Sequence, residues 1–218
     1  LKWKPDFIFA SDMLDLSTFL SITRELSYNI PTAIYFHENQ LSYPWNPQDR
    51  DIKKNRDSHY GFINYVSSLV SDKVLFNSKY QMDSYFKALK KLLNNFPDNR
   101  ETATIKDIKI KSKVLNLGLD LKRYDNYFKE KINAPIILWN HRWEYDKDPE
   151  AFFQTLENLK NNGYDFRLAV LGENFSKSPQ IFNKAKILFK NNIVHWGYLN
   201  SLKDYANWLW KSDILPVT

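Results

Sequence analysis

The sequence predicts an α/β protein made of two Rossmann-like domains, each a parallel sheet with helices on both faces. Two observations predict this fold. Short apolar runs of strand length alternate with amphipathic stretches of helical length along the whole chain, and most of the connections are short. The alternation pauses at the polar segment 122–133 and then begins again, which indicates a second domain.

The first domain is predicted over residues 1–126. Its strands are the apolar runs 7–10, 32–37, 73–77 and 113–121. Its helices are the amphipathic stretches 16–26 and 60–70 and a long helix that begins after Ser78. The Ser78 hydroxyl is well placed to cap the first turn of that helix.

The second domain is predicted over residues 127–218. Its strands are the runs 135–140, 166–172, 192–197 and 213–217, and its helices are the stretches 149–162, 179–190 and 201–211. The first domain has few strands for a complete doubly wound sheet, and the sequence starts inside a buried-type segment and stops just where a loop should leave a strand. We therefore expect the fold to be incomplete at both ends, as the middle portion of a longer protein.

The composition is that of a folded protein with an anionic partner. The chain has 218 residues, 43% hydrophobic and 26% charged, with a net charge of +6 that favours nucleotides, phosphorylated donors or RNA. It has no cysteine, which excludes disulfides, thiolate zinc sites and cysteine nucleophiles. No apolar run reaches the length of a membrane span, so we expect a cytoplasmic protein. The five glycines form neither a Gly-x-Gly fingerprint nor a P-loop.

The first candidate site is the polar segment that follows the strand 32–37. Ligand-contacting groups of open α/β sheets lie beyond the carboxyl ends of strands. Imidazole and carboxylate groups there can hold sugar hydroxyls or phosphate oxygens. The alternative is an ordinary capped loop whose polar side chains satisfy local backbone groups. The residues concerned are His37, Glu38, Asn39 and Gln40, with Tyr43 shortly after them.

The second candidate site is the segment "NHRWEYDKDP" (140–149), between a strand and a helix. Arg142 and Lys147 can converge on one anionic group there, and the helix N-terminus adds its own positive end. His141 lies in the same segment. The alternative, which these residues support equally, is a set of surface salt bridges. The acidic partners in that case are Glu144, Asp146 and Asp148.

Two further strand ends carry candidate residues. Asn77 and Ser78 follow the third strand and face the expected cleft, although helix capping by Ser78 accounts for most of this pattern. Gly197 and Tyr198 follow another strand, where a glycine permits close backbone approach and an aromatic ring can stack on a base. A tight turn with positive φ is the alternative. The four histidines are scattered, so no metal site is predicted.

Several segments together resemble the tRNA-queuosine alpha-mannosyltransferase family, which are glycosyltransferases of the GT4 type. The segments occur in order over almost the whole chain: "FHENQLSYPW", "HYGFINYVSSLVSDKVLFNS", "LGLDL" and "ILWNHRWEYDKDPEAFF". The resemblance implies a GT-B fold with the active site between an acceptor-side domain and a nucleotide-sugar-binding domain. It also implies a GDP-mannose donor, queuosine in tRNA as acceptor, retention of anomeric configuration, and no metal or cofactor.

The resemblance also implies roles for the candidate residues. Arg142 and Lys147 would bind the donor diphosphate and neutralise the charge that develops as the nucleotide leaves. His37 would lie beside the transferred sugar, with Glu38 and Asn39 at the reaction centre. Gly197 and Tyr198 would lie near the nucleobase. The remaining candidates would line the cleft: Gln40, Tyr43, Asn77, Ser78 and His141.

Two alternatives keep part of this interpretation. A GT4 enzyme acting on a lipid or polysaccharide uses the same donor chemistry with another acceptor, because one fold serves many acceptors. A non-catalytic module that binds a nucleotide or RNA is favoured by the net charge and the many aromatic residues. Two motifs expected of a GT4 enzyme, a glycine-rich loop and a Glu-x7-Glu segment, are missing from the 218 residues. Their absence also favours the non-catalytic module.

Overall fold

The computed structural model describes residues 5–43, 58–128, 135–173 and 178–217. The chain divides into two compact units, Leu1–Gly118 and Leu119–Thr218, and each contains one parallel sheet. The predicted α/β fold with two parallel sheets is confirmed. The division falls a few residues before the boundary predicted at 126/127.

The first unit contains a four-stranded parallel sheet. The strands lie side by side in sequence order, and Ile34 is opposite Val74 and Phe36 opposite Phe76. The fourth strand was predicted to continue to residue 121, which is wrong, because it ends at Val114 on the outer edge of the described sheet. The strands are β1 (Ile8–Ser11), β2 (Thr32–Phe36), β3 (Lys73–Phe76) and β4 (Ser112–Val114).

Within the described residues, five helices connect or follow these strands. They are α1 (Leu16–Ile22), α2 (Arg24–Ser27), α3 (Ser58–Val70), α4 (Lys79–Asn94) and α5 (Thr104–Ile110). Apolar residues of four of these helices share one core with alternate residues of the strands, among them Ile34, Phe36, Tyr85 and Leu89. Strands that follow in sequence order, joined by crossovers of one hand, place their helices on one face.

The opposite face of this sheet is only partly covered within the described residues. Phe9 and Tyr35 point to it because side chains alternate along a strand. Phe9 is 58% exposed, and its ring stacks on Tyr35 with 6.1 Å between centroids. The predicted helices on both faces are therefore not seen for this sheet in the part of the chain that the structure describes.

The second unit contains a three-stranded parallel sheet with helices on both faces. Its strands are β5 (Ile136–Trp139), β6 (Arg167–Val170) and β7 (Ile193–Trp196), in that order. Its helices are α6 (Pro149–Asn161), α7 (Ile181–Leu188) and α8 (Leu202–Lys211). Helices α6 and α7 pack on the face that carries Trp139 and Val170, and α8 packs on the face that carries Leu138 and Ala169.

The order of these strands creates a topological switch point. Helix α8 returns the chain across the sheet to Ile214, which forms a parallel bridge with Ile137 of β5. The strand predicted at 213–217 is reduced to this bridge. Strand β5 thus has β6 on one side and Ile214 on the other, and ligands of open α/β sheets bind at such a position, beyond the carboxyl ends of the strands.

The segment after Gly118 packs on the second unit. It forms a 3₁₀ helix, Leu121–Tyr127, and the backbone carbonyl of Tyr124 accepts a hydrogen bond of 2.8 Å from the Trp210 indole in α8. The ring of Phe128 meets the Trp210 ring edge-on, with 5.1 Å between centroids. These contacts explain why the second unit begins before the predicted boundary.

No helix within the described ranges is both long and apolar enough to cross a lipid bilayer.

Candidate active site

Polar residues follow all four strands of the first sheet and are joined by hydrogen bonds. Asp12 directly follows β1, His37 follows β2 and Asn77 follows β3. The Asn77 side-chain amide donates to the His37 carbonyl over 2.8 Å. Asn116, just beyond β4, donates to the Asn77 carbonyl over 3.0 Å. Since the strands are parallel, their carboxyl ends form one polar edge.

A pocket of about 330 Å³ opens beside this edge. Six residues predicted from the sequence line it together, and their catalytic or binding roles stay predictions. Gln40 adjoins them through its backbone N–H, which donates to the buried Asn64 side chain over 2.9 Å. The six predicted lining residues are His37, Glu38, Asn39, Tyr43, Asn77 and Ser78, and the sequence analysis did not single out the other four, Ser42, Tyr80, Gln81 and Ser84.

Local structure accounts for part of what Asn39 and Ser78 do. The Asn39 side-chain oxygen accepts hydrogen bonds of 3.0 Å from both the backbone N–H and the hydroxyl of Ser42. The Ser78 hydroxyl accepts from the backbone N–H of Gln81 over 3.1 Å, which caps α4 as predicted. For these atoms the alternative interpretation holds: the side chains form hydrogen bonds with local groups of the loop and the helix start.

The most buried charged group at this edge is Asp12, which the sequence analysis missed. Its side chain is fully buried, and one carboxylate oxygen contacts Nδ1 of His37 directly. Burial raises the pKa of the Asp12 carboxyl above its ordinary value, and the neighbouring His37 opposes that shift. Its position two residues after the apolar run 7–10 was the signal that could have identified it.

Two buried oxygens near His37 have no hydrogen-bond partner among the described residues. They are Oδ2 of Asp12 and Oδ1 of Asn77. Most buried polar atoms in native proteins are hydrogen-bonded, so an unpaired acceptor beside a pocket suggests that a ligand or water completes it.

Three of these groups have the chemistry of metal ligands. Asp12, His37 and Glu38 each offer one ligand atom, and the three atoms lie within 4.8 Å of one another. Two ligands of one zinc ion, each about 2 Å from it in tetrahedral geometry, lie about 3 Å apart. The direct contact of Asp12 with His37 is closer than that separation and corresponds to a hydrogen bond.

In the second unit, the segment after β5 lies at the topological switch point and rests on the end of β6. The Trp143 indole donates to the Leu171 carbonyl over 2.9 Å, and the Trp139 indole donates to the His141 carbonyl over 2.9 Å. Gly172 has φ of +105°, and a Cβ there would lie 2.0 Å from the His141 carbonyl oxygen. Gly172 therefore fixes the course of this segment. Its role was missed in the sequence, although it is the last residue of the predicted strand 166–172.

The predicted diphosphate-binding cations both have acidic neighbours. Arg142 pairs with Glu144 over 3.1 Å, and its side chain is 57% exposed. Lys147 pairs with the nearly buried Asp146 over 2.7 Å. These are two of the ion pairs that the structural alternative predicted. An exposed pair contributes only about 0–1 kcal/mol, so a phosphate group competes readily for Arg142.

Lys147 stands immediately before a helix N-terminus. It closes the 3₁₀ turn Tyr145–Lys147, and Asp148 then caps α6 by accepting from the backbone N–H of Ala151 over 3.2 Å. The first-turn N–H groups of α6 and its dipole reinforce the positive potential at Lys147. The predicted arrangement of a lysine beside a helix N-terminus is confirmed, whereas its binding role stays a prediction.

The other predicted residues of this unit also lie at strand ends. His141 approaches the Pro216 carbonyl, with 3.4 Å from Nε2 to the oxygen. Gly197 has φ of +122° and nothing within 4 Å of the position of a Cβ, so the predicted positive-φ turn is confirmed. Tyr198 beside it is 63% exposed.

Comparison with known proteins identifies the family. The family model described as tRNA-queuosine alpha-mannosyltransferase N-terminal matches residues 1–119. The chain belongs to this family. A tRNA-queuosine alpha-mannosyltransferase of Drosophila melanogaster is 30% identical over 221 residues, covering 97% of this chain and 56% of the relative. The resemblance to the family seen in the sequence is confirmed, and the chain spans about half the length of this curated relative.

Solved structures share the fold at low sequence identity. Trehalose-6-phosphate synthase OtsA matches with a TM-score of 0.59 at 14% identity, over 97% of this chain and 51% of its own. TarM matches with a TM-score of 0.55 at 13% identity, over 98% of this chain and 37% of its own. These likenesses show the fold of this family member, α/β with two parallel sheets, as in GT-B proteins.

Proposed function

We propose that the protein is a retaining mannosyltransferase that transfers mannose from GDP-mannose to queuosine in tRNA. The observation that carries this proposal is the family match over the whole first unit. The Drosophila melanogaster relative supports it over 97% of the chain.

In this proposal Arg142 and Lys147 bind the donor diphosphate. Both follow β5, at the switch point of the second sheet. A guanidinium group binds phosphate oxygens through two parallel hydrogen bonds, and a lysine adds a point charge. Negative charge builds up on the diphosphate as the glycosidic bond breaks. Fixed cations and the α6 N-terminus stabilise that charge, so the proposal requires no metal or cofactor.

The pocket of the first unit supplies hydroxyl-binding groups in this proposal. His37 and Glu38 offer ring-nitrogen and carboxylate acceptors, and Asn39 lies beside them at the reaction centre. The unpaired Oδ1 of Asn77 can accept a hydrogen bond from a sugar hydroxyl. Gln40 and Tyr43 extend the same surface.

The nucleobase is assigned to the turn after β7. The open space around Gly197 admits a ligand close to the backbone, and the exposed Tyr198 ring offers a stacking surface. His141, which follows β5, lies at the same carboxyl edge of the sheet, where we expect it to line the donor site.

The net charge of +6 favours tRNA as the acceptor, because Lys and Arg residues release counterions from phosphates when RNA binds. The same charge favours a second candidate function, a module that binds RNA without catalysis. The two differ in turnover: the module binds tRNA with a steep salt dependence and transfers no sugar.

A transfer assay tests the proposal. Radiolabelled GDP-mannose is incubated with the protein and with tRNA that contains or lacks queuosine. We expect label only in the tRNA that contains queuosine. We also expect the labelled mannose to be attached through an α linkage. Label in a lipid or polysaccharide fraction would identify another acceptor, and salt-sensitive tRNA binding without transfer would identify the non-catalytic module.

A further inference from the structure

A buried carboxylate and a pocket histidine are paired at the carboxyl ends of β1 and β2. One oxygen of Asp12 contacts Nδ1 of His37 and also accepts from the backbone N–H of His37 over 3.3 Å. Ring and backbone of the histidine are thus held by one group that lies 25 residues earlier in the chain.

Asp12 is itself held on both sides. Its backbone N–H donates to the Tyr35 carbonyl over 3.1 Å, and its own carbonyl accepts from the buried Asn64 side chain over 3.1 Å. Asn64 also accepts from the backbone N–H of Gln40. These contacts fix the backbone that carries the carboxylate before any ligand arrives, which is what positioning a second group requires.

We propose that Asp12 is a positioning residue that holds His37 in the tautomer protonated on Nδ1. A neutral imidazole with its proton on Nδ1 has an unprotonated Nε2. Because Nδ1 is occupied by Asp12 and His37 lines the pocket, Nε2 is the nitrogen left to accept a hydrogen bond from a ligand hydroxyl. That the hydroxyl belongs to a sugar rests on the proposed function. The tautomer of His37 does not depend on that function.

The burial of Asp12 fits a positioning role better than a role in stability. Burying a carboxylate is unfavourable unless it is well paired. Oδ2 of Asp12 has no partner among the described residues, and the nearby acidic group of Glu38 repels a negative charge on Asp12. An asparagine occupies nearly the same volume without a charge. A carboxylate at this position is therefore best explained by its effect on His37.

Nitrogen-15 NMR of the histidine rings tests the tautomer directly. Spectra are recorded at alkaline pH, where a histidine is neutral, and the His37 signals are assigned by their loss in His37→Gln. We expect a protonated Nδ1 and an unprotonated Nε2. His195 serves as an internal control: its Nε2 lies 3.0 Å from the Gly197 carbonyl, which can only accept, so it is expected in the opposite tautomer.

The variant Asp12→Asn separates positioning from structure. The asparagine amide can donate to Nδ1, so we expect His37 to change to the Nε2-protonated tautomer while the His195 signals stay unchanged. In the transfer assay kcat is expected to fall at least about tenfold with little change in the KM for GDP-mannose. Circular dichroism of the variant reports on folding.

The wild-type spectrum decides the inference even if the variant does not fold. A His37 ring protonated on Nε2 in the wild-type protein would overturn it. Binding of one Zn²⁺ per chain that displaces the Nδ1 proton would overturn it as well, and would replace it by a metal site. If the wild-type protein transfers no mannose but shows the expected tautomer, the proposed function fails and the positioning of His37 by Asp12 stands.

Discussion

Gly172 fixes the path of the chain that carries Arg142. A Cβ at this position would lie 2.0 Å from the His141 carbonyl oxygen, and φ is +105°. We expect Gly172→Ala to lower the free energy of unfolding by more than about 2 kcal/mol and to weaken GDP-mannose binding, because the backbone of the segment 140–144 must move. Urea unfolding and a donor titration measure the two effects.

Gly163→Ala is the matched control for this substitution. Gly163 also has a positive φ, +81°, but nothing lies within 4 Å of its Cβ position. The conformational cost alone, about 1 kcal/mol, is expected there, with unchanged donor binding. Equal destabilisation by the two substitutions would show that the contact with His141 is unimportant.

The buried carboxyl of Asp12 predicts a pH dependence of stability. Burial raises its pKa in the folded state above the ordinary value of 3.8, so the folded protein binds the proton more tightly than the unfolded chain does. The stability from this group is fully present below pH 3.8 and is lost as the pH rises through the folded-state pKa. Asp12→Asn has no such loss. Its stability relative to the wild type is therefore expected to increase with pH across this range, as measured by urea unfolding at a series of pH values.

A stability of Asp12→Asn relative to the wild type that stays constant or falls as the pH rises would contradict this expectation. It would mean that contacts with His37 outweigh the burial of the carboxylate.

At the residue scale the sequence was informative about strand ends and uninformative about long-range pairs. His37, Asn77 and Arg142 were predicted at strand ends because apolar runs stop just before them. Asp12 was missed because its importance comes from a contact with a residue just beyond the next strand, and Gly172 was missed because the carbonyl it accommodates lies in the segment after another strand. Neither contact leaves a periodic signal.

A buried hydrogen bond joins helix α1 to helix α3. The Ser67 hydroxyl accepts from the backbone N–H of Leu16 over 3.1 Å, which satisfies a donor that the first turn of α1 cannot pair internally. Both residues are fully buried. We expect Ser67→Ala to lower the free energy of unfolding by about 1–3 kcal/mol, because it leaves that N–H unpaired in the core.

Ser21→Ala provides the comparison in α1 itself. The exposed Ser21 hydroxyl donates to the Ser17 carbonyl of the same helix, and water replaces this bond when the hydroxyl is removed. A change within about 0.5 kcal/mol is expected. If Ser67→Ala were equally mild in urea unfolding, the hydrogen bond between the helices would not stabilise the fold.

At the element scale apolar runs predicted strands well where the strands are buried. Strands β2 and β5 were found near their predicted bounds. Each has a paired neighbour on both edges: β2 lies between β1 and β3, and β5 lies between Ile214 and β6. The predicted fourth strand was too long because Leu115, Leu117 and Leu119 alternate as in a strand, yet they are exposed. Periodicity alone does not show whether a neighbouring strand exists to pair with.

The whole molecule consists of two units whose boundary can be tested. Tyr124 contacts α8 through its carbonyl, which accepts from the Trp210 indole, and through its ring, which packs on Tyr205, so the segment that starts at Leu119 contributes to the second unit. We expect the free energy of unfolding of a fragment 119–218 to exceed that of a fragment 127–218 by about 1–3 kcal/mol. The longer fragment should therefore unfold at a higher urea concentration. Trp fluorescence follows the transition, and circular dichroism checks that each fragment folds.

Identical transitions for the two fragments would place the boundary at 126/127, as the polar composition of 122–133 predicted. That prediction relied on composition, which does not reveal that a polar 3₁₀ helix, Leu121–Tyr127, packs its aromatic rings on a neighbouring helix. The two-sheet fold itself was predictable because strand and helix periods alternate along most of the chain.

In the proposed mechanism the cations after β5, Arg142 and Lys147, stabilise the departing diphosphate. The rate of mannose transfer by the variants Arg142→Ala and Lys147→Ala tests this role most directly. Each substitution is expected to lower transfer from GDP-mannose by about 10²-fold or more. Arg167→Ala is the control, because Arg167 begins β6 at the opposite end of the sheet and its guanidinium bonds the Asn191 carbonyl. We expect that control to keep transfer within about a factor of two. Unchanged transfer in both Arg142→Ala and Lys147→Ala would contradict the account.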